Sequence, residues 1–251
     1  MEVPFRCLLY IEVQGRNEWE VEERGLTTMD RLKTDGRIDV IDAGRAGIVK
    51  VGPYEFVDTL ELEVVGDLRS LLSIVLDYTP SAVEVISPPN FSIDREELSN
   101  LMLDLAGGIR RIASSELELG DLGELPLPPL GYEESELAEL VYEGRHVFYE
   151  TSFETFKGKE TTIKTLTVLG CGIDKISFKE TKEGRNVVNT TLVSPFDSLL
   201  AVTAFYAPRR VKVLDPSVVD VTALELQNGL MDVAGIVRIS LLEESSCGSK
   251  A

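Results

Sequence analysis

Two tandem ferredoxin-like repeats, each a βαββαβ unit with an added C-terminal helix and an antiparallel sheet, are the α+β fold class that the sequence predicts. Three observations carry it. First, Ser70 to Arg110 (SLLSIVLDYTPSAVEVISPPNFSIDREELSNLMLDLAGGIR) aligns without a gap to Ser198 to Arg238 (SLLAVTAFYAPRRVKVLDPSVVDVTALELQNGLMDVAGIVR), shifted by 128 residues and matching at 15 of 41 positions. Unrelated chains of ordinary composition would match at roughly 2 or 3. Second, the apolar period before each duplicated stretch switches between two and 3.6 in the order strand, helix, strand, strand. Third, proline and helix-capping residues punctuate both copies at the same offsets. The expected divisions are a first repeat over 1–113, an acidic linker over 114–140, a second repeat over 141–242 and a polar tail over 243–251, with an internal pseudo-two-fold.

Phe5 to Val13 reads as a strand with Phe5, Cys7, Leu9, Ile11 and Val13 on one face and Arg6, Leu8, Tyr10 and Glu12 on the other. The second face is mixed, as on a sheet covered in part on both sides. Asn17 can cap a helix, with Glu20 three residues on, that runs to Lys33 and buries Val21, Leu26, Met29 and Leu32. Asp35-Gly36 turns the chain into a strand over Arg37 to Asp42, and the glycine-rich stretch from Ala43 to Tyr54 reads as a loose hairpin connection. Phe56 to Val64 is a strand with Leu60, Leu62 and Val64 inward. The duplicated stretch follows: a helix bearing Leu71, Leu72 and Val75, ended near Tyr78-Thr-Pro80 because proline disfavours helix in its predecessor. A short strand carries Val83 and Val85, and Pro88 closes it. A helix then starts at Asp94, with Glu97 placed for a capping box, and buries Leu98, Met102, Leu105, Ile109 and Ile112.

The linker core, ELELGDLGELPLPPLGYEESE, is acidic and rich in proline and glycine, which predicts an exposed, partly extended connection whose leucines lie along a domain surface. His146 to Phe156 opens the second repeat as a strand. Thr161 to Leu169 reads as a short helix, or as a strand if its β-branched threonines prevail. Asp174 to Thr181 is a strand with Ile176 and Phe178 inward, Glu183 to Asn186 a hairpin turn and Val187 to Val193 the returning strand. The echo of the first duplicated stretch completes the unit, with Val211, Val213 and Pro216, a capping box at Thr222 and Glu225, and a stripe of Leu226, Leu230, Val233 and Val237.

The 251 residues carry 25 basic and 43 acidic side chains, a net charge of −18. The excess is uneven: residues 1–111 hold 12 basic and 21 acidic groups, 112–144 none and 9, and 145–240 hold 12 and 11. Phosphate binding needs concentrated Lys and Arg, so a polyanion-binding role is disfavoured; Arg209, Arg210 and Lys212 are its only support. Two glutamines among many charges are compatible with a thermophile source. No apolar run approaches the ~20 residues of a membrane span. The sequence MEVPFRCLLYIEVQG has no basic leader and alternates like a strand, so it does not read as a signal peptide. Three scattered cysteines give no disulfide framework and one histidine gives no zinc site of the usual spacing; a reducing, cytoplasmic setting is expected. Cys7 reads as a buried thiol, Cys171 as part of a turn between glycines, and Cys247 as part of the tail.

Motifs that resemble catalytic or cofactor signatures fail on spacing. Gly158-Lys159 looks like the end of a P-loop, but the glycine required five residues earlier is Phe153. Ala106-Gly107 and Ala234-Gly235 lack the third glycine of a dinucleotide motif. The repeated trio Glu97, Asn100 and Asp104, with Glu225, Asn228 and Asp232, reads as a solvated helix face and cap; the sharper alternative is a pair of matching cation sites. No cofactor or metal is expected. VLDYTPSAVEVISPP followed by a capped helix resembles the C-terminal ferredoxin-like extension of WYL-domain regulators, which place a helix, a strand ending in proline and a terminal helix in that order. The WYL core and a DNA-binding helix-turn-helix are both absent, so the resemblance implies the local fold and no function or site residue.

A ferredoxin-like sheet has one face without helices, and in a tandem copy the two bare faces can pack together or the sheets can join edge to edge. The expected ligand site is a groove between the repeats lined by Arg6, Tyr10, Glu12, His146, Phe148 and Glu150. His146 has the intrinsic chemistry for proton transfer and Glu150 lies four residues along the same strand face, yet no nucleophile, base and orienter can be picked out together. The leading reading is a non-catalytic module that senses a ligand or binds a protein partner, a small molecule or a protein with a basic surface. The alternative is a small-molecule enzyme with its site in that groove.

Overall fold

The structure is a computed structural model that describes residues 4–112, 117, 119, 120 and 122–248. The start of the expected linker, the last three residues of the expected tail and the side chain of Cys247 lie outside the described residues. In the first repeat the elements are β1 (Phe5–Gly15), α1 (Glu18–Lys33), β2 (Asp39–Arg45), β3 (Val49–Gly52), β4 (Glu55–Gly66), α2 (Leu68–Tyr78), β5 (Ala82–Ser87), β6 (Asn90–Asp94) and α3 (Arg95–Ile112). After the linker come α4 (Glu134–Ala138), a π-helix (Glu139–Glu143), β7 (Val147–Thr155), α5 (Lys159–Val168), β8 (Gly172–Glu180), β9 (Asn186–Ser194), α6 (Phe196–Tyr206), β10 (Arg210–Asp215), β11 (Val218–Thr222) and α7 (Ala223–Gly248).

Both sheets have the ferredoxin-like strand order, fourth–first–third–second. The first runs β5-β1-β4-β2, with β3 as an added strand on β4, and the second runs β10-β7-β9-β8. The pairings between these neighbours are antiparallel. Registers correspond between the copies: Leu9 faces Leu62, and Thr151 faces Thr190, 128 residues after Leu62. A bulge at Ile41 recurs at Asp174, opposite equivalent residues of β4 and β9. The peptide bonds Ser87–Pro88 and Asp215–Pro216, also 128 residues apart, are both cis.

Local sequence explains most elements. Asn17 accepts from the Glu20 N–H at 2.9 Å and caps α1. Thr222 and Glu225 make a full capping box, with Thr222 N donating to Glu225 Oε2 at 2.7 Å and Glu225 N to Thr222 Oγ1 at 3.2 Å. At the first copy Asp94 accepts instead from Glu96 N at 2.7 Å. The threonine-rich stretch after Gly158 is a helix, because Thr162 and Thr167 turn their hydroxyls back to the carbonyls four residues earlier and leave the backbone ladder intact. Helix α7 continues through residues 243–248, where a tail was expected; Leu241, Leu242, Glu243 and Glu244 are strong helix formers with no breaker among them. The glycine-rich connection after β2 contains β3, and its turn is fixed by buried Asp58, which accepts from Arg45 Nε at 2.6 Å and from Gly47 N at 3.0 Å.

The chain forms two compact units that do not follow the sequence repeat: residues 1–91 with 222–235, and residues 92–221 with 236–251. In the first unit, α1 packs on β1 and β4, and α7 begins beside β5, where Gln227 Oε1 accepts from Val85 N at 3.2 Å. In the second, α3 packs on β10 and α6, and Ser99 Oγ accepts from Val213 N at 2.9 Å. Ser99 and Gln227 are equivalent positions of the two copies, as are Val85 and Val213. The terminal helix of each repeat therefore seals the edge strand of the other repeat. β6 and β11 pair as a two-stranded ladder, and the equivalent residues Ser92 and Asp220 hydrogen-bond at 2.5 Å. Each ladder strand carries the chain about 16 Å, five residues at about 3.3 Å, before its helix begins.

The linker is exposed over residues 123–127 and 129–131 and is tied to the second unit at several points. Leu117 is buried, Lys157 Nζ donates to its carbonyl at 2.5 Å, and Lys164 Nζ donates to Gly123 O at 3.0 Å. Gly131 N donates to Ile173 O at 3.0 Å, and α4 with the π-helix follows. Leu125, Leu127 and Leu130 remain exposed.

Candidate functional site

Strand alternation sets the two faces of the second sheet. On β7, Val147, Tyr149, Thr151, Phe153 and Thr155 are buried, while Phe148, Glu150, Ser152 and Glu154 face the other way. The register places this second face in rows. Lys212, Glu150, Thr191 and Lys175 form one row across β10, β7, β9 and β8. Arg210, Ser152, Asn189 and Ser177 form the next. A shallow recess of 330 Å³ opens over them, lined by all of these residues except Lys212, which stands outside it.

The floor of the recess is hydroxyl and amide: Ser152, Ser177, Asn189 and Thr191. Ser177 Oγ donates to Asn189 O at 3.3 Å. Cations stand at both edges. Arg210 Nη2 lies 3.3 Å from Glu150 Oε2, and Lys175, whose side chain is 82% exposed, lies 3.8 Å from Asp174. Lys212 and Lys175 are three strand spacings apart, about 14 Å. Such a surface can hydrogen-bond a small polar molecule at its centre and neutralise negative charge at either end.

The six residues expected to line a groove fall in both units, and each set is placed within its own. In the first unit, Arg6 is exposed and paired with Glu63, Tyr10 is half-buried with its carbonyl accepting from Ser81 N at 2.7 Å, and Glu12 is exposed. Glu12 also borders a 550 Å³ recess with Arg24 and Arg31 of α1 and Tyr78. In the second unit, Glu150 belongs to the recess described above, and Phe148 sits two residues away on the same face. His146 lies just before β7, and its Nδ1 is 2.8 Å from the Gly144 carbonyl. A carbonyl only accepts, so Nδ1 carries the proton and the ring is held by its own turn.

Lys175, Ser152, Ser177, Asn189 and Thr191 were not singled out from sequence, and Arg210 was named there only with Arg209 and Lys212 as support for polyanion binding. The signal was present for β8, because Ile176 and Phe178 inward puts Lys175 and Ser177 outward. Which residues share a row is set by register, which a single strand does not reveal.

Among the described residues the two cysteine thiols, Cys7 and Cys171, are buried. Burial pushes the Cys7 thiol up to about 12 and the Cys171 thiol up to about 11. Cys171 Sγ is 3.6 Å from Tyr149 Oη, and Ser194 Oγ is 3.5 Å from the same hydroxyl, all three on the buried side of the second sheet. Among the described residues no group of three or more His, Cys, Asp or Glu is placed to hold a metal ion. No helix among them is long and apolar enough to cross a membrane.

A duplicated ferredoxin-like protein with polar, helix-free sheet faces is the class that this architecture defines, by the strand order and connections of the chain itself. The chain belongs to the MJ0538 family, whose model matches residues 6–245. No curated protein matches the sequence. Among solved structures, the crystal structure of a candidate glycine cleavage system transcriptional repressor aligns with 11% identity over 88% of this chain and 99% of its own, at a TM-score of 0.22.

Proposed function

We propose that this protein is a non-catalytic ligand-sensing module, and that its ligand is a small polar anion seated on the open face of the second sheet. The observation that supports this reading is the pair of cross-strand rows, with neutral hydrogen-bonding groups at the centre and Lys175, Arg210 and Lys212 at the edges. Ser152, Asn189, Ser177 and Thr191 contribute little to a core from that face, so their side chains are available to a ligand. The buried thiols and the carbonyl-held His146 favour binding over turnover. Of the residues expected from sequence, Glu150 would orient Arg210, while Arg6, Tyr10 and Glu12 belong to the other sheet.

The test is a thermal-shift screen of the full chain against inorganic phosphate, citrate, a nucleoside monophosphate and neutral sorbitol. A ligand at a hundredfold over its Kd stabilises by about 2.7 kcal/mol, enough to read as a clear rise in Tm. At least one anion should raise Tm, sorbitol should not, and the rise should vanish in a variant combining Lys175→Ala with Asn189→Leu. A flat screen, or a rise that persists in that variant, sinks the reading.

A further inference from the structure

The two open faces carry opposite charge at equivalent positions. In the second sheet one row reads Lys212, Glu150, Thr191, Lys175. The same row of the first sheet reads Glu84, Leu8, Glu63, Asp42. The next rows repeat the contrast, with Arg210, Ser152, Asn189 and Ser177 against Ala82, Tyr10, Glu61 and Gly44. Registers and bulges match, so each substitution sits at the same place on the same surface. Among the described first-face positions the cation Arg6 is paired with Glu63; on the second face the carboxylates are matched too, Glu150 by Arg210 and Glu154 by Arg185 and Arg209, while Asp215 accepts from Tyr142 Oη. The chain leaves Asp42, Glu84, Lys175 and Lys212 exposed.

We infer that these faces dock on each other between copies: the acidic face of one chain receives the basic face of a second copy. Pairing like with like is excluded by charge, since acid would face acid or lysine face lysine. The contact is therefore heterologous, head to tail. The overall charge of −18 does not forbid it, because the excess lies in residues 1–144 and residues 145–240 are near neutral, with 12 basic and 11 acidic groups. Leu8 and Tyr10, half-buried at the centre of the first face, would meet the hydroxyl and amide floor of the second. A four-stranded face about 19 Å wide and about 20 Å long offers roughly 400 Å² per partner, about half of a standard interface. The association is correspondingly weak and salt-sensitive.

The experiment is sedimentation of the full chain without ligand, so its outcome is independent of the thermal-shift screen. Average mass should rise with concentration at about 0.1 M salt and return to one chain at about 1 M, as the Debye length falls from about 10 Å to about 3 Å. A variant with Lys175→Glu and Lys212→Glu has two acidic faces, and one with Asp42→Lys, Glu61→Lys and Glu84→Lys has two basic faces, since the remaining Glu63 is paired with Arg6. Each alone should stay monomeric, while a mixture of the two should associate; restored association also shows that both variants fold. A parent chain monomeric at every concentration, an oligomer indifferent to these changes, or a mixture that stays monomeric would overturn the inference.

Discussion

Cys7 and Cys171 lie on the helix-covered sides of the two sheets, and burial holds both thiols protonated far above neutrality. The folded values exceed the unfolded value of about 8.5. Their contribution to stability is therefore complete below about pH 8.5 and is lost as pH rises through the folded values of about 11 and about 12. Tyr149, raised by burial, acts in the same direction. Unfolding free energy measured in urea should fall between pH 9 and pH 11, and the slope should be shallower in Cys171→Ala; a flat profile would contradict the burial argument. The buried thiol of Cys7 was legible in the sequence because a strand's period of two assigns every residue to a face. The tether of His146 to Gly144 was not, because it depends on the left-handed turn at Arg145, with φ of 57°.

At the scale of elements, caps and periods named most helices and strands, including the stripes of α3 and α7. Ile112 is the exception, half-exposed at the end of α3. The ladder strands β6 and β11 escaped notice because each has only five residues and pairs only with the other. Their consequence is large: Ser99 and Gln227 reach the N–H groups of Val213 and Val85 at the exposed sides of β10 and β5. Removing either acceptor leaves a part-buried donor unmet, so Ser99→Ala and Gln227→Ala should each cost about 1 to 2 kcal/mol in urea unfolding. Amide hydrogen exchange should localise each loss, at Val213 for the first and at Val85 for the second. Loss of protection at Val85 in Ser99→Ala would mean that each helix docks on its own repeat.

For the whole molecule, the repeat of the sequence and the compact unit of the structure are different divisions. A fragment of residues 1–113 contains the first sheet but lacks residues 222–235, which complete that unit, and carries α3 without β10 and α6. Such a fragment should be far less stable than the first sheet in the full chain, and adding a peptide of residues 218–240 should recover part of the loss, read by circular dichroism and urea unfolding. A fragment as stable alone as in the full chain would contradict the exchange. By itself the sequence determined the two copies, their strand order, their buried stripes and the charge of each outward position, because these depend on local periodicity and on a 128-residue self-alignment. Only the tertiary structure decided which helix seals which edge and which outward residues share a row. Val85 and Val213 present the same edge, and Ser99 and Gln227 offer the same kind of acceptor, so docking within a repeat and across repeats satisfies the same local chemistry. The extended path of β6 and β11 breaks that tie by carrying each helix away from its own sheet.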